Sequence, residues 1–195
     1  AVLTRNRYGA VVLNTARLLF LDIDVPAEGT FQRLGRMFTK REGPAEAALT
    51  QLRAALRSHG RATFRIYRTA AGLRVIAVDR EYDPAGRDAQ ELMKQTGTDV
   101  AFMRLCLAQR SFRARLTPKP WRCAVPVPPG QFPHLDERAR ARYADWVARY
   151  ETACKAYATC RFLETVGKGA PRGQSEKLVE LHDRMTRSGE SLPLA

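Results

Sequence analysis

The sequence predicts an α+β fold, in which a mixed, mostly antiparallel sheet of four or five strands is backed by helices and followed by a helical C-terminal part. Short runs rich in Val, Ile, Phe and Tyr are bounded by turn residues, which is typical of strands. Other stretches carry apolar residues three and four positions apart behind capping residues, which is typical of amphipathic helices. This order predicts an α/β core over residues 1–125, a Pro-rich connector over 126–135, and a helical region packed on the core over 136–195.

The first part of the chain predicts two strands and a helix. Residues 8–14 and 17–24 read as strands joined in a hairpin. Residues 27–43 predict a loop with a short amphipathic helix. Pro44 then starts a helix with one apolar stripe, and Gly60 ends it.

The clearest hairpin follows, with strands at residues 61–68 and 73–79. The second strand is almost uniformly apolar, so we expect it in the centre of the sheet. Arg74 interrupts that strand, and an unpaired guanidinium would be costly there. We therefore expect Arg74 to face either the carboxylates of residues 18–26 or a phosphate. Arg65, on the first arm, is a further candidate phosphate contact.

Four more helices are predicted in the remainder of the chain. They begin at Asp83-Pro84 and Thr98-Asp99, run from Asp136 to about Val166, and cover residues 175–187. His182 and Asp183, on the last helix, are expected to be polar surface residues. Residues 188–195 are expected to form an arm or a frayed end.

The net charge and the cysteines indicate which partners and which cellular location to expect. The 195 residues include 33 Lys and Arg against 20 Asp and Glu, a formal net charge of +13, which favours nucleic acid first and an anionic membrane surface second. No run is apolar and long enough to span a bilayer. The four cysteines, Cys106, Cys123, Cys154 and Cys160, lack any close C-x-x-C pair, so we expect reduced thiols in a cytoplasmic protein. A zinc site can be drawn from Cys123, His134, Cys154 and Cys160, but the spacings fit no standard pattern, so we expect no zinc. Because the chain begins with Ala1 rather than Met, we expect further residues upstream.

Two aspartates end the strand that reads Leu-Leu-Phe-Leu-Asp-Ile-Asp-Val-Pro over residues 18–26. Alternate side chains of a strand share a face, so Asp22 and Asp24 point the same way, roughly 7 Å apart along the chain. Neighbouring carboxylates repel unless a cation lies between them, which makes a site for Mg²⁺ or Mn²⁺ one interpretation. The other interpretation is a pair of solvated charges at a strand end.

The strongest binding signal lies in residues 100–135, which contain no acidic residue. The cations there include Arg104, Arg110, Arg113, Arg115, Lys119 and Arg122. Phe112 and Trp121 are interleaved with them, and aromatic faces beside phosphate contacts are what single strands and nucleotides require. We therefore predict nucleic-acid or phosphate contacts at Arg113, Arg115, Lys119 and Trp121. The alternative is that Phe112 and Trp121 fill the core.

In this order of motifs the sequence resembles the archaeo-eukaryotic primase superfamily, the primase-polymerases with an RRM-like catalytic core. Phe20–Asp24 looks like its first motif, an apolar run into Asp-x-Asp or Asp-x-Glu that holds a divalent metal. Residues 67–75 (Tyr-Arg-Thr-Ala-Ala-Gly-Leu-Arg-Val) are similar to its second motif, a small-residue turn leading into a strand. Residues 113–119 loosely resemble the basic segment after the third acidic motif. The resemblance covers residues 17–122, and Arg74 stands where the second motif normally ends in a phosphate-binding His.

The resemblance implies metal-dependent nucleotidyl transfer in DNA replication or repair. Asp22 and Asp24, with Asp99 or Asp79 as third carboxylate, would hold Mg²⁺ or Mn²⁺, and the partners would be DNA or RNA and a nucleoside triphosphate. Two alternatives stay open. One is a basic domain that binds nucleic acid without chemistry, in which Asp22 and Asp24 pair with arginines such as Arg74. The other is a small-molecule nucleotide enzyme or a protein-interaction domain, for which the sequence offers no pocket signature.

Overall fold

The computed structural model describes residues 1–25, 43–60, 62–134 and 136–195 and confirms the α+β class. The helix expected within residues 27–43 and the arginine that opens the 61–68 strand lie outside the described residues. The elements run in the order β1 (Val2–Arg5), β2 (Val11–Thr15), β3 (Phe20–Asp24), α1 (Pro44–Ser58), β4 (Phe64–Thr69), β5 (Gly72–Ala77), α2 (Arg87–Gln95), α3 (Val100–Gln109), β6 (Phe112–Arg115), the 3-10 helix Pro120–Cys123, α4 (Glu137–Cys154), β7 (Cys160–Val166) and α5 (Gln174–Thr186).

The larger of the two sheets is antiparallel, with four strands in the order β3-β5-β4-β7. Helix α1 connects β3 to β4, and β5 lies between those two strands, which is a split β-α-β arrangement. The predicted β4–β5 hairpin and the central place of β5 are confirmed, and every residue of β5 is buried. Gly72 starts β5 because a Cβ there would overlap the carbonyl oxygen of Ile23 on β3.

Different helices cover the two faces of this sheet. On one face, Arg53 of α1 pairs with Glu164 of β7 at 2.5 Å, and Leu49, Leu52 and Leu56 of α1 are buried. On the other face, the ring of His182 on α5 packs against Phe20 and Tyr67, with centroids 5.9 Å and 4.9 Å apart. The main core cluster therefore lies around the four-stranded sheet.

The smaller sheet has three strands in the order β1-β2-β6. The predicted hairpin between residues 8–14 and 17–24 is therefore wrong. Strand β2 pairs with β1 and β6, whereas β3 pairs with β5. The hydroxyl of Thr15 accepts the N–H groups of Arg17 and Leu18 and donates to the Leu18 carbonyl. This closes a tight turn after β2 and directs the chain into the other sheet.

The long helix predicted from Asp136 to Val166 is wrong in its second half. The Asp136 carboxylate caps α4 by accepting the N–H of Ala139 at 2.7 Å, as predicted, but the helix ends at Cys154. Residues Cys160–Val166 instead form β7, because β4 offers a free antiparallel partner and the run Phe-Leu-Glu-Thr-Val suits a strand. Pairing with a distant strand thus overrides the continued helical spacing.

The C-terminal tail is packed on the fold rather than frayed, which corrects the prediction for residues 188–195. Phe162 N–H donates to the Ser188 carbonyl at 3.0 Å, and Ala195 N–H donates to the Ala158 carbonyl at 3.1 Å. Ala195 is only 2% exposed. These backbone bonds fix the tail along β7 and the residues before it.

The remaining helices agree with the sequence except at one start. Asp99 caps α3, and the predicted Ala89, Leu92 and Met93 of α2 are buried. Helix α2 begins at Arg87 rather than at Asp83, because the Asp83 carboxylate accepts the N–H of Ala85 and forms a separate turn. Within the described ranges, no helix is both long and apolar enough to cross a membrane.

Candidate nucleic-acid interface

The pair Asp22–Arg74 joins the first aspartate to the arginine in the central strand. The two residues are register partners on β3 and β5. Arg74 Nε donates to Asp22 Oδ1 at 2.8 Å and Nη2 donates to Oδ2 at 3.2 Å. The Arg74 side chain is 2% exposed and that of Asp22 is 34% exposed. Of the two partners left open by the sequence, Arg74 therefore faces the carboxylate.

Arg74 also reaches the smaller sheet. Its Nη1 donates to the carbonyl oxygen of Arg115 on β6 at 2.8 Å. Burial alone would lower the pKa of Arg74, but the charge and hydrogen bond of Asp22 outweigh burial and raise it. The guanidinium is thus a charged link between the two sheets, and it fixes the backbone from which the Arg115 side chain projects.

The other candidate metal ligands are placed differently. Asp24 is exposed at the end of β3. Asp99 N–H donates to the Asp22 carbonyl at 3.1 Å, so the start of α3 lies beside β3, but the Asp99 carboxylate accepts the N–H of Phe102 at 2.7 Å. Asp79 follows the opposite end of β5, because Asp24 is paired with Gly72 at its start. In the part of the chain that the structure describes, no three His, Cys, Asp or Glu side chains form a group that could hold a metal ion.

The two aromatic residues of the basic segment have separate roles. Phe112 is fully buried in β6, so it fills the core. Trp121 is 52% exposed, its ring lies 5.2 Å from that of Tyr8 edge to face, and Lys119 Nζ lies 5.5 Å from the ring centroid. Trp121 is therefore a half-exposed aromatic ring with a cation beside it.

Arg113 and Arg115 share one face of β6, because they alternate with the buried Phe112 and Ala114. Arg113 Nη1 donates to Gln109 Oε1 at 3.1 Å. Arg115 Nε is buried and has no hydrogen-bond partner among the described residues. An unsatisfied buried donor is costly.

Arg122 adds a second guanidinium close to Arg115. Burial lowers the pKa of Arg122, and the positive charge of Arg115 lowers it further, with Asp24 acting in the opposite direction. The structure thus crowds two like charges at the side of Asp24. We call the surface formed by the following residues the basic interface: Tyr8, Arg113, Arg115, Lys119, Trp121 and Arg122.

Two members of the basic interface were not among the predicted site residues. Arg122 lies next to Trp121 in the acid-free segment, and this position in the sequence could have identified it as a site residue. Tyr8 had no signal in the sequence, because it reaches Trp121 only through the β1–β2 loop.

Arg65, a predicted phosphate contact, is not part of the basic interface. Its Nη2 pairs with Asp183 Oδ2 on α5 at 2.7 Å, and its Nε donates to the Tyr67 hydroxyl at 2.8 Å. The guanidinium carbon also lies 4.2 Å from the centroid of the Phe162 ring. Arg65 therefore holds α5 against the larger sheet.

His182 and Asp183 are not surface polar residues as predicted. His182 is fully buried, and its Nδ1 lies 3.0 Å from Asp183 Oδ1. Burial lowers the pKa of His182, and the charge of Arg74 lowers it further. The helix buries Val179, His182 and Thr186, a stripe one residue along from the predicted Leu178, Leu181 and Met185. Val179, His182 and Thr186 have helical spacing in the sequence, but a polar histidine is not expected on a buried stripe.

Comparisons with known proteins find no match among family models, curated proteins or solved structures. The resemblance to the primase superfamily therefore rests on the sequence motifs alone. The functional argument rests on the geometry of the site.

Asp22→Asn removes the charge opposite Arg74. We expect the free energy of unfolding to fall by about 3 kcal/mol, because a buried charge left without its partner is strongly destabilising. Asp24→Asn, the same change at the exposed end of the same strand, should alter it by less than about 0.5 kcal/mol. Urea unfolding at neutral pH measures both values. Equal effects of the two substitutions would contradict the structural role of Asp22.

Acid should destabilise the protein through His182. The pKa of His182 is lowered in the folded state from its ordinary 6.5, so below that pH the unfolded chain binds a proton that the folded chain does not. Stability therefore falls as the pH decreases below 6.5, by at most about 1.4 kcal/mol per pH unit. Urea unfolding of the wild type and of His182→Asn at pH values on both sides of 6.5 tests this slope.

We expect a shallower dependence on pH in His182→Asn, whatever its stability at neutral pH. A wild-type stability that does not change below pH 6.5 would contradict the assignment.

Proposed function

We propose that this chain binds nucleic acid through the basic interface. The observation that carries the proposal is the crowding of Arg115 and Arg122, in which one buried guanidinium donor lacks a partner among the described residues. A phosphate supplies the negative charge that this arrangement lacks, and arginine matches phosphate geometry. The half-exposed Trp121 beside Lys119 supports nucleic acid over other polyanions, because an indole can stack on a base.

In this proposal Asp22 is a positioning residue. It neutralises Arg74, and Arg74 in turn holds the carbonyl oxygen of Arg115. The Asp-x-Asp strand thus supports the basic interface through two hydrogen-bonded steps. The net charge of +13 adds a long-range attraction for a polyanion.

Binding should depend steeply on salt, with Arg113 and Arg115 contributing to the slope. For a single strand, each phosphate contact contributes about 0.7 to the slope of log K against log salt. We therefore expect the double substitution Arg113→Ala/Arg115→Ala to weaken binding and to reduce the slope by about 1.4. Fluorescence anisotropy of a labelled oligonucleotide over a salt series measures both.

Arg87→Ala is the matched control, because Arg87 is an exposed arginine on α2 that pairs with Glu91. It should leave the slope unchanged. The proposal is wrong if the wild type binds no oligonucleotide at low salt, or if both sets of variants lose the same slope.

A second candidate function is metal-dependent nucleotidyl transfer with DNA or RNA, a nucleoside triphosphate and Mg²⁺ or Mn²⁺. Two observations favour it. Asp99 lies beside Asp22 through a backbone hydrogen bond, and Asp24 lines a cavity of about 540 Å³ between β3, α1 and α2, which is large enough for a nucleotide. Against it, both oxygens of Asp22 already bind Arg74. As arranged, the described carboxylates do not form a metal site.

Calorimetric titration with Mn²⁺ separates the two candidates. We expect no saturable heat that depends on Asp22 and Asp24, with or without nucleoside triphosphate, because the Asp22 carboxylate is occupied by Arg74. The control is Glu137→Ala/Asp145→Ala, which removes two exposed carboxylates from α4. Saturable Mn²⁺ binding that is lost in Asp22→Ala/Asp24→Ala but kept in this control would establish the second candidate.

A further inference from the structure

A cavity of about 400 Å³ lies between the β1–β2 loop, the residues around Phe132 and the first half of α4. Its lining includes Arg7, Phe132, His134 and Tyr143. No pattern in the sequence indicates that these residues meet, because they come from three separate stretches of the chain. None of them belongs to the basic interface.

Aromatic rings form a continuous series from the core to this cavity. Trp146 is buried and stacks on Tyr143 with centroids 5.9 Å apart, and Tyr143 lies 4.5 Å from His134. His134 in turn meets Phe132 edge to face at 6.3 Å. Phe132 is 89% exposed, so its ring is left in water at the rim of the cavity. The series connects the exposed Phe132 ring to the buried Trp146.

The β1–β2 loop on the opposite side of the cavity is held by side-chain hydrogen bonds and by packing on Trp146. The Asn6 side chain accepts the N–H groups of Tyr8 and Ala10, at 3.2 Å and 3.1 Å. Gly9 has φ +84°, and a Cβ there would overlap the ring of Trp146. The loop is therefore held in a shape that places Arg7 at the cavity and the next residue, Tyr8, against Trp121.

We propose that this cavity takes an unpaired nucleobase of a single-stranded nucleic acid whose phosphates lie on the basic interface. This inference rests on the proposed function. The exposed ring of Phe132 and its neighbours supply stacking faces, and Arg7 supplies a cation for the adjoining phosphate. Arg7 at the cavity and Tyr8 at the basic interface are neighbours on the same loop. A paired base inside a duplex cannot enter such a cavity, so the partner is a single strand.

The test compares three probes: an oligothymidine of about twelve nucleotides, a backbone of the same length without bases, and a duplex of the same length. Fluorescence anisotropy measures their binding to the wild type and to Phe132→Ala. We expect the substitution to weaken binding of the oligothymidine roughly tenfold, because one stacked base is lost. The slope against salt should be unchanged, since no phosphate contact is removed.

Phe132→Ala should leave binding of the baseless backbone unchanged. Val127→Ala is the matched control, because Val127 is a 61% exposed apolar residue that does not line the cavity. Since Phe132 is 89% exposed, its replacement does not threaten folding. The wild type should also prefer the oligothymidine to the duplex.

The outcomes separate this inference from the proposed function. If the wild type binds oligothymidine with a steep salt dependence but Phe132→Ala binds it equally well, the cavity assignment is wrong and the basic interface stands. Equal binding of the duplex and the single strand overturns the cavity assignment in the same way. If the wild type binds none of the probes, both proposals fail.

Discussion

The bidentate ion pair between Asp22 and Arg74 is the interaction on which the rest of the architecture depends. A guanidinium in the central strand of a sheet would be too costly without a partner, and the strand beside it supplies a carboxylate at the matching register position. The third nitrogen of the group then binds the Arg115 carbonyl and fastens the smaller sheet to the larger one. One buried charge therefore links two sheets that share no strand, in addition to the apolar core that both sheets share.

The two aspartates of the first motif are consequently not equivalent. The neighbouring arginine occupies Asp22, whereas Asp24 is exposed beside the crowded guanidinium of Arg122. An Asp-x-Asp pattern in a sequence is compatible with a metal site and with an internal ion pair, and only the position of an opposing arginine distinguishes them. Here that arginine stands where the primase-like second motif would carry a histidine. The same substitution that weakens the resemblance accounts for the structural use of the first aspartate.

Features with a local cause were predictable, and features that depend on distant partners were not. The β4–β5 hairpin follows from its turn and apolar runs, and the caps at Asp99 and Asp136 follow from side-chain hydrogen bonds within four residues. By contrast, β7 exists because β4 offers it a partner, and β2 leaves β3 for β6, almost a hundred positions away along the chain. Neither pairing can be predicted from the residues that are adjacent in the sequence.

The candidate site divides in the same way. The acid-free segment directed attention to Arg113, Arg115, Lys119 and Trp121, and the structure places the two arginines on one face of β6 and Lys119 beside Trp121. The sequence pattern could not show that Phe112 is buried or that Arg65 pairs with Asp183 on α5. Nor could it show that Arg7 and Phe132 line the same cavity. Those relations arise from the crossing of elements.

The attachment of the tail to β7 has a consequence for solubility. An uncovered outer strand presents unpaired N–H and C=O groups on which another chain can add, which is a route to aggregation. Along β7 the tail blocks this route, since the Ser188 carbonyl already accepts the N–H of Phe162. At the opposite edge of the larger sheet, the N–H of Asp99 donates to the carbonyl oxygen of Asp22, so that oxygen is also paired. These two backbone hydrogen bonds reduce the number of free groups along the outer strands of the larger sheet and so oppose strand-to-strand association between copies of the chain.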